Sequence, residues 1–252
     1  MDLSLVPSLA ERQFMASLKT TAIIVAAGKG KRFGVGVKKQ FQLLSGKPVI
    51  AHSIGCFEKS DSIGEIVLVV PEDSIDYCRK EIVEKFGFKK VTKVVPGGEE
   101  RQDSVEKGFN SVSEDVDLVL IHDGVRPFVT LQLIDAVIKE AARSGAAIIA
   151  MPAKDTVKKI SADGFIESTI PREFIWLAQT PQAFRYDVLK KAYGRIKGRA
   201  SKFTDESSLV EEVGVRVKLV KGSLLNIKIT TEEDLLLGEL ILKEGIYKNE
   251  IE

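Results

Sequence analysis

The residue types able to do chemistry concentrate in three short stretches. The first, Ala26-Ala-Gly-Lys-Gly-Lys-Arg-Phe-Gly34, mixes small residues with cations. Small side chains let backbone N–H groups close on a phosphate, and Lys29, Lys31 and Arg32 bring charge of the required sign. Lys38-Lys39-Gln40 adds further cation to the same loop. A dinucleotide fingerprint would need a third glycine where Phe33 stands, and a Walker loop would need a Gly-Lys-Ser/Thr ending that is missing. A nucleotide phosphate and a plain glycine-rich turn remain.

The second stretch, His122-Asp-Gly-Val-Arg-Pro127, closes an apolar run. A carboxylate at such a strand end, here Asp123, can hold ribose hydroxyls, a polyol or magnesium. The plainer alternative is an Asp123–Arg126 ion pair capping the loop; it is the less favoured reading, because Pro127 fixes the loop where a ligand would lie. His122 is expected to support the core or the site, not to act as a base. The third stretch is Pro96-Gly-Gly-Glu-Glu-Arg-Gln-Asp-Ser-Val105. Its glycines are expected to free backbone groups to read a flat base edge, with Ser104 facing the same cleft; a simple strand-to-helix loop would look alike.

These stretches need a scaffold that gathers them. From residue 21 the sequence alternates strand-length apolar runs, at 22–27, 66–70, 91–95, 118–121 and 146–150, with helical spacing. Pro48, Asp73, Arg101 and Thr130 mark helix starts. Near-continuous β-branched strands between helices predict one α/β domain: three layers around a mostly parallel sheet. The alternation stops after Pro152. Ala162-Asp163-Gly164 then joins two charged and apolar segments, which reads as a β-hairpin. Without a clean core-facing row it must pack on a second copy of the chain or fold back on its own domain. Helices are predicted at 186–197 and 205–213, strands at 215–220 and 225–228, and a capped helix from Thr230 to about residue 244.

Composition narrows the rest. The chain has 252 residues, and its 37 Lys and Arg against 36 Asp and Glu argue against a general nucleic-acid binder. Its apolar runs are strand-length, far short of a membrane span. Cys56 and Cys78 stand apart, so two reduced thiols in a cytoplasmic protein are expected. Residues 1–20 are read as an extension that is not a secretory signal, residues 21–252 as the domain, and about 154–178 as its arm.

At these residues the chain resembles the 2-C-methyl-D-erythritol 4-phosphate cytidylyltransferase family of the non-mevalonate isoprenoid pathway. The resemblance runs from about residue 21 to 242. It rests on Ala26 to Arg32, Gly97 to Ser104, His122 to Pro127, and Thr204-Asp-Glu-Ser-Ser208 with Asn226-Ile-Lys-Ile-Thr230, in that order. It implies transfer of a cytidylyl group from CTP on a Rossmann-like sheet, Mg2+ as cofactor, and a homodimer made through the projecting hairpin. By motif match, Arg32 and Lys39 fall at the α-phosphate of CTP, and Arg172 and Lys228 at the attacking phosphate. Ala26, Ala27, Gly28, Gly30, Gly98, Glu99, Ser104 and Gly124 fall where the family holds CTP. Asp123, Arg126, Thr156, Thr180 and Thr204 fall near the methylerythritol phosphate, with Thr156 and Arg172 serving the partner subunit's pocket from the arm. No metal ligand is identified.

Three departures from the family pattern stand out. Lys38 replaces a usual proline and so competes with Lys39 for its role, Glu99 stands where Asp is usual, and Val125 is bulkier than the usual small residue. A phosphate monoester is mostly dianionic at neutral pH, so it needs cations more than a general base. The rival functions are a ribitol 5-phosphate cytidylyltransferase, a non-catalytic nucleotide-binding protein and an NAD(P)-dependent oxidoreductase. The missing third glycine, and Val70-Pro71 where an acidic residue should end the second strand, count against the last.

Overall fold

The computed structural model describes residues 17–28, 38–196 and 203–246. Strand β1 (Thr20–Val25) is buried along its whole length, as a strand covered on both faces must be. Two short strands, β2 (Leu43–Leu44) and β3 (Lys47–Pro48), precede helix α1 (Val49–Lys59). After β4 (Glu65–Val70) the chain runs through a 3-10 turn, one α-helical turn and a π-helix (Cys78–Glu84) into β5 (Val91–Pro96). Helix α2 (Arg101–Phe109), β6 (Leu118–Asp123), α3 (Leu131–Ser144) and β7 (Ala146–Pro152) complete the alternating part.

The hairpin follows as β8 (Val157–Ile160) and β9 (Ile166–Ile170), a separate two-stranded sheet. Beyond it lie β10 (Trp176–Arg185), α4 (Tyr186–Ile196), α5 (Glu206–Glu212), β11 (Lys218–Lys221) and α6 (Glu232–Lys243). The main sheet has the order β11-β7-β10-β6-β1-β4-β5. All its pairings are parallel except those of β10, which runs antiparallel to both β6 and β7. One face packs Ile24, Leu68 and Leu120 against Ile54, Phe57 and Ile134 of α1 and α3. The other packs Ile23, Val67 and Ile121 against Phe109, Leu189 and Leu209 of α2, α4 and α5. This is the expected three-layer α/β fold.

The structure departs from the sequence reading in four places. Thr20, assigned to the extension, is the first residue of β1, and Leu18 before it packs on the core. Strand β10 was not foreseen, because Gln179-Thr-Pro-Gln182 interrupts its apolar pattern. Those polar groups are satisfied inside the site instead. Residues 225–228, expected as a strand, join no sheet; Asn226 turns inward and donates to the Thr180 carbonyl at 2.9 Å. The expected strand at 215–220 starts only at Lys218. Residues 1–16 of the extension and Lys197 lie outside the described residues.

Candidate active site

Ligand-binding loops in open α/β sheets gather at the carboxyl ends of the strands, and three such ends, those of β1, β5 and β6, meet here. The end of β1 delivers Ala26, Ala27 and Gly28; Ala26 is pinned by Gln40, whose buried side chain donates to its carbonyl at 2.8 Å. Gly124, after β6, approaches the same corner and donates its N–H to Val25 at 2.8 Å. A Cβ there would press on Ala26. The loop after β5 delivers Gly98 and Glu99, and α2 then opens with Arg101. The segment before α6 crosses over with Lys228, held by the Ile229 N–H bond to Val125 at 2.8 Å.

These ends enclose a cavity of about 650 Å³, whose walls include Ala26, Ala27, Gly28, Lys39, Gly98, Glu99, Arg101, Ser104, Asp123 and Lys228. Its wall includes the Asp123 carboxylate, whose side chain is only 8% exposed. Arg101 Nε lies 3.1 Å from Oδ1; Lys228 Nζ lies 2.9 Å and Arg126 Nε 3.5 Å from Oδ2. Burial alone would raise this carboxyl's pKa, yet Arg101, Lys228 and Arg126 together hold it far below the ordinary range. Two oxygens shared among three cations leave Arg126 Nε buried without a hydrogen bond. The ion pair, the less favoured reading, is present: Asp123 is paired with Arg126, and with two more cations besides.

Behind this cluster the support is polar and buried. His122 meets the Arg126 carbonyl through Nε2 at 3.0 Å and the Thr180 hydroxyl through Nδ1 at 3.1 Å. Burial lowers its pKa to about 4, so it stays neutral. That matches the supporting role expected of it. Thr180 also accepts from the Asp123 N–H at 3.0 Å. Its hydroxyl thus bonds inside the fold and holds the Asp123 backbone.

The glycines of the third stretch are held closely by the fold. Gly97 donates to the Val70 carbonyl at 2.8 Å and Gly98 to Ser104 Oγ at 3.0 Å, so neither N–H is open to a base edge. An added Cβ would collide with Ala27 at Gly97 and with Asp103 at Gly98, so close packing requires both glycines.

Several expected site residues stand apart from this cavity. Thr156 and Arg172 are exposed on the arm, where Arg172 donates to the Lys154 carbonyl. Thr204 is exposed ahead of α5. Arg32 and Gly30 lie outside the described residues. Lys38 bonds Asp73 and, at 2.9 Å, Ser74, whereas Lys39 lines the cavity, which separates the two competing lysines. Sequence reasoning gave no role to Arg101 or Glu206. Both stood inside quoted motifs, but an acidic residue in a first helical turn reads as a cap, and Glu206 is instead a buried partner of Arg101.

The donor set does not fit a resident magnesium ion. Asp123 is the carboxylate best placed to bind one, and both of its oxygens already face cations. Among the described residues no three His, Cys, Asp or Glu side chains gather as ligands. No helix among them is long and apolar enough to cross a membrane.

Comparison with known proteins agrees with this geometry. The family model described as IspD, 2-C-methyl-D-erythritol 4-phosphate cytidylyltransferase, matches residues 20–244. A protein of that name from Geotalea uraniireducens is 46% identical over 228 residues, covering 90% of this chain and 97% of the relative. A bifunctional IspD/IspF enzyme from Desulforudis audaxviator is 50% identical over 226 residues, which cover 90% of this chain and 57% of that enzyme. Among solved structures, the 4-diphosphocytidyl-2C-methyl-D-erythritol synthase of Anaerococcus prevotii superposes with a TM-score of 0.80 at 32% identity, covering 94% of this chain and all of that one. The matched stretch contains every described wall of the cavity, and this chain belongs to the 2-C-methyl-D-erythritol 4-phosphate cytidylyltransferase family.

Proposed function

We propose that the chain joins CTP to 2-C-methyl-D-erythritol 4-phosphate, releasing pyrophosphate, in the supply of isoprenoid precursors. The observation that carries this reading is the Asp123 cluster: a carboxylate able to take polyol hydroxyls, ringed by cations able to take phosphate. The acceptor phosphate attacks as a dianion. One of its oxygens forms a bond to the α-phosphorus of CTP while the bond from that phosphorus to the bridging oxygen breaks, and pyrophosphate leaves with the electron pair. No proton need be removed, and His122, neutral with both nitrogens engaged, is not called upon.

The obstacle is repulsion between two anions, which fixed positive charges offset. Lys39 and Arg32 are assigned to the triphosphate, and Lys228 and Arg126 to the acceptor. Ala26 to Gly28, Gly98, Glu99 and Ser104 form the CTP wall. Magnesium is taken to arrive on the triphosphate as part of the substrate.

The arm at about 154–178 is assigned to a homodimer in which Thr156 and Arg172 complete the partner subunit's site. Exposed Phe165, Ile166 and Phe174 support that assignment. Cys56 and Cys78, which form no disulfide, suit a reducing, cytoplasmic setting. The test is pyrophosphate release with CTP, UTP or ATP against methylerythritol phosphate and ribitol 5-phosphate. Release with CTP and methylerythritol phosphate is expected; preference for ribitol 5-phosphate, or CTP binding without release, overturns the reading.

A further inference from the structure

Asp123 is shared by three cations, and one of them is restrained from the far side. Glu206, in the first turn of α5, is 1% exposed, and both of its oxygens accept from Arg101 Nη1, at 3.0 and 2.9 Å. The same Arg101 reaches Asp123 Oδ1 through Nε alone. Glu206 cannot drift, because its turn is tied down on three sides. Asp205 caps α5 by accepting from the Ser208 N–H at 3.0 Å, and it also accepts from Gln182 of β10 at 2.8 Å. Gln102 of α2 donates to the Phe203 carbonyl just before it.

A guanidinium is a fork that grips a carboxylate best by both oxygens at once. With Nη1 committed to both oxygens of Glu206, the guanidinium is held in an orientation in which Nε alone meets Asp123, through Oδ1. We propose that Glu206 is a positioning residue: by restraining Arg101 it keeps Asp123 Oδ2 available to Lys228, and so sets the acceptor-phosphate side of the cavity. This rests on the functional reading above and deepens it, since it says how one chain keeps a binding carboxylate from being captured by its own arginine. Without Glu206, Arg101 turns onto both Asp123 oxygens and Lys228 loses its 2.9 Å contact.

The test compares Glu206→Met, Arg101→Met and the double variant. Methionine is of similar length and apolar, and replacing both members leaves no lone charge buried. Glu206→Met is expected to raise KM for the acceptor by about 100-fold, the scale of a misplaced group, with KM for CTP changed less than about twofold. The double variant is expected to return the acceptor KM most of the way, because the competing arginine has gone. A purely structural role would leave the double variant no better than the single one. That result, or equal weakening of both substrates, overturns the proposal.

If Glu206→Met does not fold, Glu206→Gln keeps one amide acceptor and is expected to fall between it and the wild type. A readout independent of turnover is acylation of Lys228, followed by mass spectrometry. Labelling should rise in Glu206→Met and fall back in the double variant, and this holds even if the wild type releases no pyrophosphate. Unchanged Lys228 labelling across the series overturns the relay, whereas an inactive wild type overturns only the functional reading.

Discussion

The cavity and the arm face opposite physical demands. In the cavity, a carboxylate 8% exposed sits among Arg101, Arg126 and Lys228, and every support behind it belongs to the same chain. In the arm, Phe165, Ile166 and Phe174 are 72%, 64% and 82% exposed, beside a solvent-facing Lys159–Glu167 pair. A buried charge without partners costs several kcal/mol, so the cavity must be complete within one protomer. Exposed apolar side chains carry no such requirement, and a second surface can cover them later. Under the proposed dimer, the Asp123 half of the acceptor site is built by one chain and the arm half is supplied by the other.

Mixing variants gives the sharpest way to break this contrast. Lys228→Ala and Arg172→Ala should each lower turnover about 100- to 1000-fold, the usual cost of one fixed charge donor. In a mixed dimer, one site receives an intact Lys228 from its own chain and an intact Arg172 from the other. Random mixing should therefore recover about a quarter of wild-type activity, since half the dimers are mixed and each has one whole site. Steady-state rates of the mixture check this. No recovery would mean that the arm does not complete a neighbouring site.

Acid should separate the two regions next. The His122 pKa is lowered by burial to about 4, whereas an unfolded chain titrates its histidine at about 6.5. Between those values the unfolded state binds the extra proton, so the stability that neutral His122 confers is complete above pH 6.5 and is lost as pH falls toward 4. The linkage amounts to about 3 kcal/mol at its limit. Chemical denaturation of the wild type and His122→Asn from pH 7.5 to 4.5 should show the gap between them closing by about 2–3 kcal/mol. A constant gap would show that the histidine titrates normally. Association through the arm, which buries no histidine of its own, should follow a different pH course.

How much of this was legible in the sequence follows from the same contrast. The strands β1, β4, β6 and β7 were legible because burial on both faces forces continuous apolar runs. Asp123 was legible because motif and strand end coincide, Lys228 from its motif alone, and Lys39 from the run of cations beside the first loop. Strand β10 was not, since Thr180 and Gln182 are polar residues buried for what they bond, and no periodicity records a bonding partner. The bonds of Thr180 to Asp123 and His122 thus went unread, as did any role for Glu206. The Arg101–Glu206 pair joins residues 105 positions apart, a distance over which spacing carries no signal.

The smallest expected effect marks the outer boundary of the cavity. Lys38 and Lys39 are neighbours in sequence with the same charge, and sequence alone left them interchangeable. The fold separates them: Lys38 is drawn off to Asp73, whose side chain is 73% exposed, while Lys39 lies on the cavity wall. A pair with one partner so open to solvent contributes little to stability, because water and salt screen it. Lys38→Ala should therefore change kcat/KM by less than about twofold and lower stability only slightly, an effect that shrinks further at high salt. Lys39→Ala, measured beside it under the same conditions, should lose turnover on the scale of Lys228→Ala. If the two lysine variants lose activity equally, the cationic wall extends past Lys39 to the Asp73 side, and the boundary drawn between solvated charge and working charge is misplaced.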